Sequence, residues 1–154
     1  MSHSLPLHGA KTQLLRQLVY FDEEKTAFLD HYFPLYGKER SGVDRLLSGY
    51  VSALETIVSD FNEERLHSVV LIGSRVSIRY ADDDTEESYT IVFPDRAEPG
   101  NNSISFLSPV GMQLLTRKTD ETCRLAVPFG EIDVKIESIR YVNGGFREDG
   151  RAFG

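Results

Sequence analysis

The sequence has a single cysteine, Cys123, which excludes an intramolecular disulfide and any multi-thiolate zinc or iron–sulfur site. No uninterrupted apolar run approaches the roughly 18 residues that a membrane-spanning helix requires. The opening Met1-Ser2-His3-Ser4-Leu5-Pro6 lacks the charged and apolar regions of a signal peptide. Positive charge is also scarce. Against 24 Asp and Glu stand 17 Lys and Arg, a formal charge of −7, divided as −3 up to residue 66 and −4 beyond it. Neither half is a basic module that gains its affinity from nucleic-acid phosphates. The pairs Arg75/Arg79 and Arg117-Lys118 are small patches, so sequence-specific DNA readout is not expected. No GxxxxGK[ST] or GxGxxG phosphate cradle occurs, and His3, His8, His31 and His67 are scattered without metal-ligand spacing. The expectation is a soluble, cytoplasmic, monomeric protein with no membrane contact and no cofactor of its own.

What is present is a globular composition, 40% hydrophobic and 27% charged over 154 residues, with one change of apolar period near residue 66. Between His8 and Phe33, Leu14, Leu15, Leu18, Phe21, Phe28, Leu29 and Tyr32 recur at helical spacing, interrupted by Lys25. Pro34 ends that helix, because its ring disfavours helical geometry in the residue before it. Ser41, with Asp44 three residues on, reads as an N-cap with a first-turn acid. Val43, Leu46, Leu47, Tyr50, Leu54, Ile57, Val58 and Phe61 carry the second helix to about Asn62. Two helices joined by so short a turn lie antiparallel, and the pair either projects as an arm or packs on the second half of the chain.

Residues 69–80 are β-branched, with Val76, Ile78 and Tyr80 alternating against Arg75, Ser77 and Arg79. Further strands read as 88–93, 103–107, 123–127 and 132–142. The acidic run 81–87 is a turn, Pro128-Phe129-Gly130 a hairpin, and Ser108-Pro109 a helix start. The whole is α+β: a helical hairpin over 1–66, a five-strand, one-helix domain over 67–142 and a tail over 143–154. Cys123 sits in an alternating strand as a half-buried residue with nothing to activate it.

Three segments in order carry a family resemblance. Ile104-Ser105-Phe106-Leu107-Ser108-Pro109-Val110-Gly111-Met112-Gln113-Leu114-Leu115 resembles the IS-x-x-SP-x-G-x-ALL segment of bacterial Gre transcript-cleavage factors. Gly73-Ser74-Arg75-Val76 is similar to their GS-x-V. Pro128-Phe129-Gly130-Glu131, with Ile136-Glu137-Ser138-Ile139-Arg140-Tyr141, is similar to their closing hairpin. The resemblance implies an FKBP-like antiparallel β domain with one short helix, without prolyl isomerase activity. It also implies docking on RNA polymerase at the rim of the secondary channel, and a coiled-coil arm that enters the channel.

Cleavage-stimulating members hold a second magnesium ion with two tip carboxylates. Here Asp22-Glu23-Glu24 lies roughly 15 Å from the turn, at 1.5 Å per residue. Asp30, Glu39 and Asp44 remain, each with an ordinary reading beside the functional one, as a solvent-facing, turn or helix-start acid. No pair reproduces the family spacing, so polymerase-bound Mg2+ becomes relevant only if these acids converge. Tyr32, Phe33, Leu35 and Tyr36 either seal the hairpin end or contact a protein channel. Leu107 stands where cleavage factors often have an acid, and an apolar residue there is closer to the relatives described as regulators of nucleoside diphosphate kinase. Leu107, Ser108 and Pro109 are therefore the expected polymerase contacts, although core packing is the alternative for Leu107. The expected function is a non-enzymatic elongation regulator with weak or absent cleavage stimulation. The alternatives are an active cleavage factor using the tip acids, or a module that binds a different enzyme.

Overall fold

The structure is a computed structural model that describes residues 7–143. It begins with α1 (Leu7–Tyr32), α2 (Lys38–Ser59) and a short α3 (Glu63–Leu66). Next come β1 (Ser74–Tyr80), β2 (Glu86–Val92), β3 (Ser103–Ser105), α4 (Pro109–Leu114), β4 (Thr122–Val127) and β5 (Gly130–Tyr141). The expected tail, apart from Asn143, lies outside the described residues. No helix among those residues is long and apolar enough to cross a membrane.

Pro34 closes α1 where expected, but α2 starts before Ser41. Its first turn carries Glu39, so Glu39 and not Asp44 is the acid at the positive helix end. Asp44 instead accepts a 2.6 Å hydrogen bond from Lys25 Nζ across the helix seam. That ion pair explains why a lysine interrupts the apolar stripe of α1. The unanticipated α3 is capped by Asn62, whose side chain accepts from Arg65 N–H at 2.8 Å.

The sheet order is β3-β2-β1-β5-β4. All pairs are antiparallel except β2 with β3, which are parallel, a departure from the expected all-antiparallel domain. The crossover between them runs through two 3-10 turns, Pro94–Arg96 and Pro99–Asn101. In β5 the buried set changes phase from Val134 and Ile136 to Ile139 and Tyr141. A regular strand would turn the last two away from the core. The register shift opposite Ser77 and Ile78 inserts Glu137 as an extra residue and restores all four to one face. Glu137 pairs there with Arg79, whose guanidinium also reaches Glu86 at 2.9 Å and Asp84 at 3.3 Å.

Gly73, with φ +107°, joins three strands. Its N–H donates to Ile91 O at 2.7 Å, and its carbonyl accepts from Val142 N–H at 2.9 Å. A Cβ there would lie 1.6 Å from Asn143 O, which accounts for glycine in the Gly-Ser motif. Ser74 is buried and accepts from Leu71 N–H. On the edge strand β4, Gln113 donates to Ala126 O at 3.0 Å and accepts from Ala126 N–H at 2.7 Å, so that a side chain covers an otherwise open edge.

The helical pair does not stand off from the sheet. β2, β3 and β5 end, and β1 begins, at one end of the sheet, and α1 crosses that end in strand order. Gln13 accepts from Tyr141 Oη at the end of β5 (2.9 Å), and Gln17 donates to Ile72 O just before β1 (2.8 Å). Phe21 stacks on Phe93 just beyond β2, with ring centroids 5.8 Å apart. Phe28 stacks on Phe106 just beyond β3, at 5.7 Å. Four helical residues rise about 6 Å and neighbouring strands lie about 4.8 Å apart, so the first three contacts fall in step with the strands. One apolar core consequently includes residues from both helices and the sheet.

The joint also contains a closed polar ring. Tyr50 Oη donates to Gln17 Oε1 (2.6 Å) and accepts from Ile72 N–H (2.8 Å), while Gln17 Nε2 donates to Ile72 O. Gln17 and Tyr50 are fully buried. Burial holds the Tyr50 hydroxyl well above the ordinary tyrosine range, so it remains a donor. Nearby, His67 Nδ1 accepts from Tyr141 N–H at 2.9 Å. Burial, opposed by Glu63 and reinforced by Arg140, lowers its pKa and favours the neutral acceptor form.

Candidate functional site

The end of the helical pair is organised by Arg40, a residue with no marked role in the sequence motifs. Its guanidinium pairs with Asp30 at 2.9 Å, donates to the carbonyl of Phe33 at 3.0 Å and lies 4.4 Å from the Tyr36 ring centroid. The contact with Phe33 satisfies a carbonyl at the end of α1 that has no further helical turn to bond. Cation–π contact then fixes Tyr36. Asp30 and Arg40 are equidistant from Leu35 along the chain, and Lys25 and Asp44 are nearly so. Opposite charges mirrored about a helix turn were the available signal for both pairs.

This clasp sorts the tip residues. Tyr32 and Phe33 are half-buried against the core, and Tyr32 packs its ring 4.8 Å from that of Phe28. Burial, helped by Asp95, raises the Tyr32 pKa. Leu35 and Tyr36 are 84% and 82% exposed and form the apex. Among the acids, Asp30 belongs to Arg40 and Asp44 to Lys25, about 6 Å apart in level since Arg40 and Asp44 are four residues apart on α2. Glu39 stands exposed in the first turn of α2. The structure therefore gives each of the two aspartates a cation of its own. Among the described residues, no group of three or more His, Cys, Asp or Glu is arranged to hold a metal ion.

The Ser-Pro segment lies beside the same end of α1, because Phe106, stacked under Phe28, immediately precedes it. Ser108 caps α4: its Oγ accepts from Gly111 N–H at 3.1 Å and donates to Ser105 O at 2.7 Å. Pro109 occupies the first helical position and is exposed. A Cβ on Gly111 would lie 2.1 Å from Ser105 O, so the Ser-Pro-x-Gly spacing is what allows α4 to fold tightly over β3. Leu107 is half-buried and packs on the core while keeping an accessible edge. Of the three, Ser108 has its oxygen occupied by the fold, leaving Leu107 and Pro109 as surface.

Phe28 lies about 6 Å from the end of α1 at Tyr32, at 1.5 Å per residue, and Leu35 follows three residues later in the turn. The apex and the Leu107–Pro109 segment thus belong to one end of the molecule. A standard protein interface, about 800 Å² on each partner, is wide enough to cover both.

Other features singled out in the sequence are structural. In the acidic turn, Asp83 accepts from the Thr85 backbone and hydroxyl, which lower its pKa. Cys123 is half-buried, and burial raises its thiol pKa away from reactivity.

The described geometry agrees with comparisons to known proteins. Residues 65–141 match the family described as "Transcription elongation factor, GreA/GreB, C-term". A transcription elongation factor GreA of Solidesulfovibrio magneticus is 34% identical over 108 residues, covering 68% of this chain and 64% of that protein. The GreA of Caldanaerobacter subterraneus subsp. tengcongensis is 35% identical over 106 residues, covering 66% of this chain and 68% of its own length. The chain thus spans just under two thirds of the first relative and just over two thirds of the second. A solved GreA/GreB elongation factor from Nitrosomonas europaea shares the fold, with a TM-score of 0.53 and 21% identity over 84% of this chain and 95% of that one.

Proposed function

Because the chain belongs to the GreA/GreB family of transcription elongation factors, we propose that it is a cytoplasmic elongation regulator that binds RNA polymerase at the secondary channel without stimulating transcript cleavage. The observation that carries this reading is the charge arrangement at the tip. Recruiting a second magnesium ion needs two carboxylates free to converge on it. Asp30 and Asp44 are instead compensated by Arg40 and Lys25 at different levels of the hairpin. These residues do not fit such an ion. An apolar apex, Leu35 and Tyr36, takes the place of an acidic one.

The folded-back helices support a second element of the reading. A factor that docks through Leu107 and Pro109 with α1 along its sheet end brings a short prong into place next to the docking segment. Occupancy of the polymerase, rather than chemistry at its active site, is the resulting mode of action. The test is retention of the purified protein on immobilised core RNA polymerase. Wild type is retained, whereas Tyr36→Ala and Leu107→Ala each reduce retention about tenfold, as expected for truncating an interface anchor. Failure of the folded wild type to be retained would remove the proposal.

A further inference from the structure

A groove of about 620 Å³ lies away from the tip, between α2, α3 and the segment after α4. Its size falls within the range of small-molecule sites, about 300–1,000 Å³. Ile57 and Val69 contribute apolar wall, and Arg65, Thr116, Lys118 and Thr119 contribute polar groups. Thr119 N–H to Ser68 O, Val70 N–H to Arg117 O and Thr116 N–H to Val70 O pin the two loop walls together.

The unusual residue is Thr116. Leu115 has φ −56° and ψ 131°, Thr116 has φ +70°, and Arg117 N–H returns to Leu114 O at 3.0 Å. These are the angles and hydrogen bond of a type II turn, whose third position is suited to glycine or asparagine. A β-branched residue there is a conformational outlier. Strain of this kind persists where the surroundings over-determine it, and it clusters at binding sites. What threonine supplies over glycine is a hydroxyl at the groove wall. Among the described residues, the side chains of Thr116, Thr119 and Lys118 have no hydrogen-bond or ion-pair partner. Arg65 is shared only with the exposed Asp60, at 3.4 Å.

From this combination we propose that the groove binds a small phosphate monoester, with its phosphate between Lys118, Arg65 and the threonine hydroxyls and its organic part on Ile57 and Val69. Lys118 and Arg65 are the cations on the wall and Glu64 the acid there. Asp60 lies 3.4 Å from Arg65, and Glu121 accepts from the Lys118 backbone N–H at 3.0 Å, so a bound phosphate competes with these carboxylates for the two cations. The repulsion from the chain's net charge of −7 is screened beyond about 8 Å at physiological ionic strength. This inference is independent of polymerase binding.

The test is calorimetric titration of the full chain with adenosine 5′-monophosphate and, separately, inorganic phosphate. The monophosphate should bind about tenfold more tightly than phosphate, and Lys118→Ala should weaken it about tenfold. Thr116→Gly should raise the melting temperature without ligand by about 2–4 °C, yet weaken monophosphate binding. Absence of binding, equal affinity for the two anions, unchanged binding by both variants, or no thermal gain in Thr116→Gly would each overturn the proposal.

Discussion

Tyr50→Phe is expected to destabilise the protein by about 2–6 kcal/mol, although it removes a single oxygen atom. That oxygen closes the ring with Gln17 and Ile72, at 2.6 and 2.8 Å. Its loss leaves the Ile72 N–H and the Gln17 Oε1 buried without that partner, and an unsatisfied buried group costs about 1–3 kcal/mol. Water cannot easily substitute, because Gln17 and Tyr50 are fully buried. Gln17→Leu should be strongly non-additive with Tyr50→Phe, since each already breaks the same ring. Urea unfolding would show the loss as a lower midpoint with an unchanged slope. A change below about 1 kcal/mol would mean that the ring does not hold the helices to the sheet.

Phe21→Ala is expected to cost about 3–5 kcal/mol. Phe21 is 3% exposed and meets the rings of Tyr20, Phe28, Tyr50, Phe93 and Phe106. Few neighbours can move into the space it would leave, because most are themselves fixed rings. Set against a typical total stability of about 5–15 kcal/mol, such a loss is a large fraction of the whole. The shared core also predicts its form. Helical and tertiary signals should be lost in one coincident transition, in wild type and variant alike. Separate transitions for helices and sheet would contradict a hairpin integrated with the sheet. By contrast, Leu35→Ala, at an 84% exposed apex, should change stability by no more than about 0.5 kcal/mol.

The legible parts of the fold were those encoded locally. The apolar spacing of α1, its arrest by Pro34 and the Ser108-Pro109 start of α4 are all nearest-neighbour effects, and each appears in the structure. Ser41 and Asp44 misled because a serine followed by an acid imitates a capping box. Asp44 is acidic for a different reason, its partner Lys25 on the other helix. The β5 bulge had a readable trace in the phase change between Ile136 and Ile139. The parallel placement of β3 did not, because it depends on how the 93–102 crossover folds. Least legible was the docking of the helices. Gln17 meets Ile72 and Gln13 meets Tyr141 across long sequence separations, and nothing local marks a glutamine as half of such a pair.

At the candidate site, the sequence singled out the hairpin tip and the Ser-Pro segment but not the contacts within them. The Ser-Pro segment was readable as a motif and as a capped helix start, while the exposure of Pro109 beside the half-buried Leu107 came from the structure. The three tip acids were countable, while the pairing of Asp44 with Lys25 and of Asp30 with Arg40 required the antiparallel register of the helices. The same register explains why Arg40 can hold Asp30, Phe33 and Tyr36 at once.

The most direct test of the proposed function is the length of nascent RNA in backtracked elongation complexes, followed with this protein alone and together with a cleavage-stimulating Gre factor. Alone, it should leave the RNA to shorten at the unassisted rate. In excess, it should slow the shortening produced by the active factor, by occupying the same site. Accelerated shortening by this protein alone would contradict the proposed function, as would a cleavage rate for the active factor that is unchanged at saturating concentrations of this protein.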